Sequence, residues 1–234
     1  VKNNFSTGDW LKLAIKKIKE VKKRKKIPIF VGGTGLYFKA LTNGLVNIPK
    51  IPIRFRNKIR LLHETLGQKK FYQKLLKLDP LSKNKINPTD AQRSIRAYEV
   101  KQFTKKSLND WFKNTQSYFK ENEFFKIYIA YPRPDLIEKI NKRTEQMLKM
   151  GAVKEVKKFI ALKVSRDKSV NKAIGINDIE EYLSNKKKLS EIKEKISIKT
   201  RQYAKRQSTW ARGHMINWNK IQPQELNKFL KKFK

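Results

Sequence analysis

Cysteine is absent from the 234-residue sequence, and acidic residues are scarce. Without cysteine the chain has no disulfide, no cysteine-ligated zinc finger and no thiol nucleophile. The two histidines, His63 and His214, lie far apart and do not have the spacing of a metal site. No apolar run approaches the ~20 residues of a membrane span, and no secretory signal peptide is visible. We therefore expect a cytoplasmic protein with no membrane partner.

The scarcity of acids leaves a large excess of positive charge. Lysine and arginine number 57 against 20 aspartate and glutamate residues, and the formal net charge is +37. A field of this size attracts polyanions, and nucleic acid is the first candidate. A lysine-rich codon usage that decorates solvated faces explains part of the excess, but it does not explain why acids stay so few. We therefore predict contact with nucleic acid.

An apolar run followed by a glycine-rich turn occupies residues 27–38. Four of the five residues at 27–31 are apolar, which is typical of a fully covered strand of an α/β sheet. Three glycines between positions 32 and 35 allow a sharp turn, and Thr34 places a hydroxyl among them. Because ligands bind beyond the carboxyl ends of strands in such sheets, this turn is a candidate wall of a site. A tight turn without a ligand is the alternative.

Helical periodicity accounts for most of the remaining chain. Ser6 or Thr7 can cap a first helix that runs to about Lys25. A basic region without a convincing strand follows Pro49 and Pro52, and the chain returns to the sheet near residue 124. We predict helices at 53–66, 69–78, 91–104, 107–119, 134–150, 152–162, 176–183 and 190–212, strands at 27–31, 124–130 and 215–218, and a short helix in the lysine-rich tail.

The helix that begins after Asp90 has a polar, cationic first turn. Asp90 can cap this helix, which leaves Arg93 in the first turn. Gln92 and Arg96 are four residues apart and share one face. Such a turn can hold a phosphate backbone or an unstacked base. The alternative is an ordinary surface helix with an Arg96–Glu99 ion pair.

Arg143 lies at the border of an apolar stripe on the predicted helix 134–150. At ~100° per residue, this stripe is formed by Leu136, Ile137, Ile140, Thr144 and Met147. An arginine turned toward the interior must meet an anion, because an unpaired buried charge is costly. We therefore predict that Arg143 faces inward, either toward an anionic ligand or toward a structural carboxylate in a buried ion pair.

The predicted helix 190–212 carries a basic line beside an aromatic one. The basic line consists of Arg201, Lys205, Ser208 and Arg212, and the neighbouring line consists of Ile196, Tyr203, Gln207 and Trp210. This pairing suits an RNA phosphate track or a pyrophosphate site. A solvated basic face is the alternative.

Four stretches of the sequence carry specific motifs. They are Val-Gly-Gly-Thr-Gly-Leu-Tyr-Phe-Lys-Ala-Leu at 31–41, Asp-x-Gln-Arg-x-x-Arg-Ala-x-Glu-Val at 90–100, Lys-x-x-x-Arg-x-x-x-Met-Leu at 139–148 and Thr-Arg-Gln-x-Ala-Lys-Arg-Gln-x-Thr-Trp-x-Arg at 200–212. These motifs resemble, in the same order, those of the tRNA dimethylallyltransferase family. Lys139 stands where the family has an arginine, which keeps the charge but loses the planar fork.

The resemblance implies a fold and a reaction. The expected fold is α/β, with a P-loop NTPase-like parallel sheet of the ATP-binding type formed by residues 1–48 and 123–234. A helical insertion at 49–122 is expected to hold the tRNA anticodon stem-loop. The expected reaction transfers a dimethylallyl group from dimethylallyl diphosphate to the N6 amine of the adenine next to the anticodon on its 3′ side. Mg²⁺ accompanies the pyrophosphate in the family, and we expect a monomer.

The resemblance also implies roles for individual residues. Thr34 and Arg143 are the expected catalytic residues, Thr34 in the base channel and Arg143 at the donor pyrophosphate. The tRNA-contacting arginine after the turn aligns with Arg56, although Arg54 is close enough to compete. The expected tRNA contacts are Thr34, Arg56, Gln92, Arg93, Ser94, Ile95 and Arg96. Further candidates for RNA or phosphate contact are Arg201, Lys205, Arg206 and Arg212.

Two of the family's segments are absent from the sequence. The Gly-x-x-x-x-Gly-Lys-[Ser/Thr] phosphate loop and the Ser-x-Asp-Ser segment with the proposed base would both precede Val1. We therefore expect that the chain lacks its N-terminal part, including ligands of Mg²⁺, and is inactive alone, while the complete protein is the enzyme. The alternatives are a non-enzymatic basic RNA-binding protein and an isopentenyltransferase that acts on free adenine nucleotides. The large basic insertion favours tRNA over a nucleotide.

Overall fold

The computed structural model describes residues 5–166 and 168–231, which are mostly helical. The helices are α1 (Thr7–Lys23), α2 (Gly35–Asn43), α3 (Ile53–Leu78), α4 (Ala91–Thr104), α5 (Leu108–Lys113), α6 (Arg133–Lys149), α7 (Ala152–Ala161), α8 (Ile176–Leu183), α9 (Leu189–His214) and α10 (Leu226–Leu230). Two strands, β1 (Ile127–Ile129) and β2 (Asn219–Ile221), pair in parallel with Ile127 opposite Asn219. Within the described part of the chain, no helix is both long and apolar enough to cross a membrane.

The chain divides into two compact units. The first unit runs to Lys39 and resumes at Glu121, and the second comprises residues 40–120. The second unit, all of which the structure describes, contains helices and turns but no strand. The helical insertion predicted at 49–122 overlaps this unit, and its binding of an anticodon stem-loop stays a prediction.

The first helix begins as its sequence predicts. The Ser6 hydroxyl accepts a hydrogen bond from the Asp9 amide at 3.2 Å, and the Asp9 carboxylate accepts one from the Ser6 amide at 3.1 Å. These reciprocal bonds satisfy two amides that the first helical turn leaves without partners. The residue that caps α1 is therefore Ser6 and not Thr7, and the helix ends at Lys23, two residues before the predicted end.

The predicted buried strand at 27–31 is wrong. This segment has no regular secondary structure, and Ile27, Ile29 and Val31 are 78%, 79% and 91% exposed. A β-strand is stable only when neighbouring strands use its backbone groups, and among the described residues β1 and β2 pair only with each other. The segment has one aromatic anchor, the edge-on contact between Phe30 and Trp10, whose ring centroids lie 6.2 Å apart.

The other two predicted strands are shorter or displaced. The strand predicted at 124–130 narrows to the three residues of β1, and the strand predicted at 215–218 lies instead at 219–221, in β2. Trp218 packs edge-on against Phe38, with ring centroids 5.5 Å apart. The parallel arrangement of the sheet is confirmed. The P-loop-type topology needs more strands than these two and stays a prediction.

The second unit is built around α3 and α4. The helices predicted at 53–66 and 69–78 form α3, interrupted at Gly67, whose φ of 70° and ψ of 164° are not helical. Helix α4 has the predicted bounds, whereas α5 is shorter than the predicted 107–119. The core consists of Ile59, Phe71, Leu75, Ile86, Ala97 and Tyr98. Burial raises the pKa of Tyr98, because the low-dielectric interior disfavours its phenolate.

The later helices of the first unit match their predicted positions within two residues. Gly151 and Gly175 precede α7 and α8 with φ of 105° and 103°, a left-handed conformation that glycine adopts without strain. The core of this region contains Ala152, Val156, Ile179, Ile192 and Ile196. Asp178 is buried beneath α9 and accepts a hydrogen bond of 2.6 Å from Lys199, which ties α8 to α9.

Candidate functional site

The glycine turn at 32–35 lies directly against α9. A methyl group added to Gly33 would overlap the side-chain amide of Gln207, and one added to Gly35 would overlap the indole ring of Trp210. Gly32 has open space around it, with no heavy atom within 4 Å of an added methyl group. The glycines at 33 and 35 are therefore needed for close approach. Two motifs far apart in sequence thus form one surface.

The other side of the turn is held by α1. The ring of Tyr37, in α2, stacks on Trp10 with centroids 4.4 Å apart and planes 7° from parallel. The Thr34 carbonyl accepts a hydrogen bond from the Tyr37 amide at 3.0 Å. The Thr34 side chain is exposed, and its hydroxyl makes no hydrogen bond with any described residue. That hydroxyl is therefore free to contact a ligand.

The cations of the α9 motif remain uncompensated. None of the four predicted contact residues forms an ion pair with a carboxylate of the described residues; these residues are Arg201, Lys205, Arg206 and Arg212. The Arg206 guanidinium lies over the ring of Tyr203 at 5.6 Å, a cation–π contact, and Arg212 donates to the Thr209 hydroxyl at 3.4 Å. Because no carboxylate of the described residues pairs with them, these four cations are available to an anionic ligand.

Arg143 is exposed, so the prediction that it faces inward is wrong. The apolar stripe beside it is correct, since Ile140 and Thr144 are buried. Arg143 forms no ion pair with any described residue, which also excludes the buried ion pair there. Arginine has a long, flexible aliphatic stem. At the border of an apolar stripe, this stem carries the guanidinium out to water.

The acid nearest to Arg143 along α6 has other partners. Glu145 accepts hydrogen bonds from Lys149 at 3.0 Å and from Lys193 at 3.3 Å. These hydrogen bonds, with the positive charges of both lysines, lower the pKa of the Glu145 carboxyl. Glu145 is therefore engaged by two lysines, one of them on α9, and it forms no ion pair with Arg143.

Lys139 shares a face of α6 with Arg143, one helical turn earlier. Its amine lies 5.5 Å from the ring centroid of Tyr131, which follows the end of β1 by two residues. Lys139 thus lies near the carboxyl end of a parallel strand, where ligands of α/β sheets bind.

In the second unit, a buried carboxylate joins two of the predicted RNA-binding arginines. The Glu99 side chain is 2% exposed. It accepts hydrogen bonds from Arg56 Nε at 3.3 and 3.4 Å and from Arg96 at 3.5 Å. Arg56 lies at the start of α3 and Arg96 within α4, so only the fold brings them together. Arg54, the competing residue, is exposed and has no ion-pair partner among the described residues.

The first turn of α4 is capped as predicted. The Asp90 carboxylate accepts hydrogen bonds from the Arg93 amide and from the Arg93 guanidinium, both at 2.9 Å. Gln92 and Arg93 are exposed, which agrees with their predicted availability to RNA. The contact itself is untested.

Ser94 and Ile95, which are predicted to contact tRNA, lie wholly or partly in the interior. Ser94 is fully buried and accepts a hydrogen bond of 3.3 Å from Gln68. Ile95 is partly buried against the core of the second unit. Both residues follow Gln92 and Arg93 in sequence, but the turn of the helix directs them inward. Both side chains therefore take part in packing, and their contact with tRNA stays a prediction.

Sequence reasoning missed Glu99 as part of the site and left it as half of a surface ion pair. The available signal was its spacing of three residues from Arg96, but burial and the contact with Arg56 are visible only in three dimensions.

No group of three or more His, Cys, Asp or Glu side chains in the described ranges 5–166 and 168–231 could hold a metal ion.

Comparison with known proteins identifies relatives over nearly the whole chain. Residues 1–214 match the family model described as IPP transferase. The chain is 57% identical over 230 residues to a tRNA dimethylallyltransferase of Pelagibacter ubique, covering 98% of this chain and 74% of the relative. It is 39% identical over 221 residues to a tRNA dimethylallyltransferase of Agrobacterium fabrum, covering 94% and 74%.

Solved structures are similar as well. A tRNA isopentenylpyrophosphate transferase from Staphylococcus epidermidis aligns with a TM-score of 0.61 and 29% identity, over 99% of this chain and 77% of that one. The corresponding protein from Bacillus halodurans aligns with a TM-score of 0.60 and 28% identity, over 94% and 68%. A eukaryotic dimethylallyltransferase acting on tRNA has a TM-score of 0.75 at 24% identity, over 94% and 57%, which is a likeness of fold.

Proposed function

The chain belongs to the IPP transferase family, and from this we propose that it acts as a tRNA dimethylallyltransferase. In the proposed reaction, the N6 amine of the adenine 3′ of the tRNA anticodon attacks the allylic carbon of dimethylallyl diphosphate. A carbon–nitrogen bond forms, the carbon–oxygen bond to diphosphate breaks, and the amine loses a proton. The 57% identity to a tRNA dimethylallyltransferase over 98% of this chain carries the proposal.

The relatives favour this function over the two alternatives. They bear the name of a transferase, which favours an enzyme over a non-enzymatic RNA-binding protein. The same name specifies tRNA as the acceptor, which favours tRNA over a free adenine nucleotide. The helical second unit, with its exposed Gln92 and Arg93, supports an RNA substrate. The cytoplasmic location and the monomeric state stay predictions.

The cations of the first unit suit the leaving group of this reaction. Negative charge grows on the diphosphate as the carbon–oxygen bond breaks, so a cation placed there stabilises the transition state more than the ground state. We assign this role to Arg143, supported by its exposure and by the absence of an ion pair between it and any described residue. Lys139 on the same face adds a second charge, and the α9 cations are candidates for the diphosphate or for RNA phosphates.

Thr34 is suited to contact the adenine that accepts the dimethylallyl group. The adenine must leave its stack before the amine reaches the donor, and the protein must then hold the extruded base. An exposed hydroxyl on a rigid turn between α1 and α9 can donate to or accept from such a base. The tight packing at Gly33 and Gly35 supports this role, because it leaves the turn little freedom to move.

The nucleotide-binding fold and Mg²⁺ belong to the same proposal. The parallel pairing of β1 and β2, together with the likeness to solved tRNA isopentenylpyrophosphate transferases, supports a P-loop-type core. Mg²⁺ would neutralise charge on the diphosphate. The described residues offer no cluster of acidic or histidine ligands for it, so the contacts proposed above for the diphosphate are those of cationic side chains.

The direct test is product formation. The full-length protein, incubated with dimethylallyl diphosphate and an unmodified anticodon stem-loop, is expected to yield N6-isopentenyladenosine, detected by mass spectrometry of the digested RNA. A stem-loop with guanine in place of the target adenine is the negative control. Product on AMP but none on the stem-loop would overturn the assignment of tRNA as the acceptor.

Binding of the stem-loop is expected to depend steeply on salt. Each phosphate contact made by a lysine or arginine contributes about −0.7 to −0.9 to the slope of log K against log salt concentration. With Arg56 and Arg96 both engaged, the slope should be at least as steep as about −1.4. A fluorescence anisotropy titration at several salt concentrations measures it, and affinity that does not change with salt would contradict the phosphate contacts.

A further inference from the structure

The buried carboxylate of Glu99 lies between Arg56 and Arg96 and ties α3 to α4. We propose that Glu99 is a positioning residue that holds both guanidinium groups as one phosphate-binding unit for RNA. This inference rests on the proposed function and adds to it a residue that does not itself touch the substrate.

The hydrogen-bond pattern leaves most donors of both arginines unused. Arg56 donates to Glu99 only through Nε, the nitrogen nearest the side-chain stem, and Arg96 donates through one terminal nitrogen. Each guanidinium carries five N–H donors, and among the described residues none of the others has a protein partner. The two side chains are 37% and 41% exposed. Their remaining donors are therefore available to an RNA phosphate.

The charge of the cluster also favours an anion. Two arginines and one carboxylate leave one net positive charge, so the cluster attracts a phosphate. A carboxylate is costly to bury without compensation, and one well-placed internal cation would suffice. Glu99 instead has two partners on different helices, and both reach the surface.

Positioning explains what this arrangement adds. A free arginine side chain samples many rotamers, and binding an anion requires it to give up that freedom. Anchoring Arg56 and Arg96 to a buried, immobile carboxylate removes part of that cost before the RNA arrives. The alternative is purely structural, in which the triad only joins α3 to α4.

The decisive variant is Glu99→Gln, because charge and positioning predict opposite signs. Removing a negative charge beside the RNA should tighten binding if electrostatics alone matters. If Glu99 positions the arginines, binding should weaken about tenfold, the effect of losing one charge-assisted hydrogen-bond arrangement. The measurement is the affinity of the full-length protein for a fluorescein-labelled anticodon stem-loop.

A matched control is Glu64→Gln. Glu64 lies on α3, as Arg56 does, is exposed and forms no ion pair with a described residue. The substitution makes the same change of net charge in the same unit. It should leave the affinity within about twofold of the original or tighten it slightly, as expected for an exposed, unpaired charge.

Two further variants separate positioning from loss of fold. In an Arg56→Ala, Arg96→Ala background, Glu99→Gln should no longer weaken binding, since there is nothing left to position. A loss that persists in this background would overturn the inference and make Glu99 a structural residue. If circular dichroism shows that Glu99→Gln is unfolded, Glu99→Asp takes its place. This variant keeps the charge but shortens the side chain, and it should weaken binding if Glu99 positions the arginines.

The outcomes distinguish this inference from the proposed function. If Arg56→Ala and Arg96→Ala weaken binding but Glu99→Gln and Glu99→Asp do not, the positioning role is wrong and the RNA site stands. If none of the four variants changes the affinity, the second unit does not bind RNA through this cluster and the inference fails, whereas the proposed function is decided separately by product formation on the stem-loop.

Discussion

Arg143→Ala is expected to lower the rate of the chemical step by about 10²–10³-fold, as when an electrostatic contact to developing charge is lost. Arg143 lies on α6, exposed and without an ion pair among the described residues. Its charge is therefore available to the leaving diphosphate, where it matters more as the bond breaks. Single-turnover alkylation of a stem-loop at saturating donor measures the rate.

The affinity for the stem-loop should stay nearly unchanged in the same variant, because the phosphate contacts proposed for Arg56 and Arg96 lie on other helices, α3 and α4. Lys142→Ala is the matched control, since it removes one positive charge from the same helix at a lysine already paired with Glu138 at 2.6 Å. Arg143→Lys should recover part of the rate, because a point charge lacks the bidentate fork. Lost RNA binding with normal chemistry would assign Arg143 to the RNA site instead.

Gly35→Ala is expected to destabilise the protein by about 1–3 kcal/mol, the typical cost of overpacking a filled site. The new methyl group would overlap the indole ring of Trp210, which is rigid and cannot give way as a flexible side chain does. Alanine is intrinsically better than glycine in a helix by up to about 1 kcal/mol, so a measured loss would show that the overlap outweighs propensity. Urea unfolding gives the free energy.

Three companion variants test the same contact. Gly32→Ala should be nearly neutral, because an added methyl group there meets no atom within 4 Å. Gly33→Ala should cost less than Gly35→Ala, because Gln207 can rotate its side-chain amide aside. In a Trp210→Ala background, Gly35→Ala should lower the free energy of unfolding much less. This double-mutant cycle measures the coupling free energy between positions 35 and 210. Equal destabilisation by Gly32→Ala and Gly35→Ala would show that close packing against Trp210 is not the reason why position 35 requires glycine.

The displaced turn should also slow alkylation, because Thr34 moves with it. This effect separates the stability of the protein from its function. If Gly35→Ala lowers stability while the single-turnover rate of the folded protein is unchanged, the position of Thr34 is not critical. The proposed contact of its hydroxyl with the base would then be wrong.

Helices with strong local signals could be predicted from the sequence. The bounds of α4 and α8 match their predicted ranges, because apolar periodicity and adjacent capping or turn residues act within a few positions of each other. Asp90 caps one helix and Gly175 precedes the other. Such interactions are local, so the sequence alone contains them.

Strands and side-chain exposure were predicted less well. The segment 27–31 has the composition of a covered strand, but a strand depends on neighbours that composition does not reveal. For Arg143, helical spacing correctly located the border of the apolar stripe. It could not say whether a long side chain there turns inward or outward, since a small rotation about its stem decides this.

The sequence by itself determined the excess of positive charge, most of the helices and the motifs by which the family can be recognised. All of these depend on residue types and on spacings of a few positions. Only the tertiary structure decided that the glycine turn packs on Gln207 and Trp210, and that Glu99 joins Arg56 to Arg96. These contacts link residues far apart in the chain, and their geometry depends on how whole helices pack.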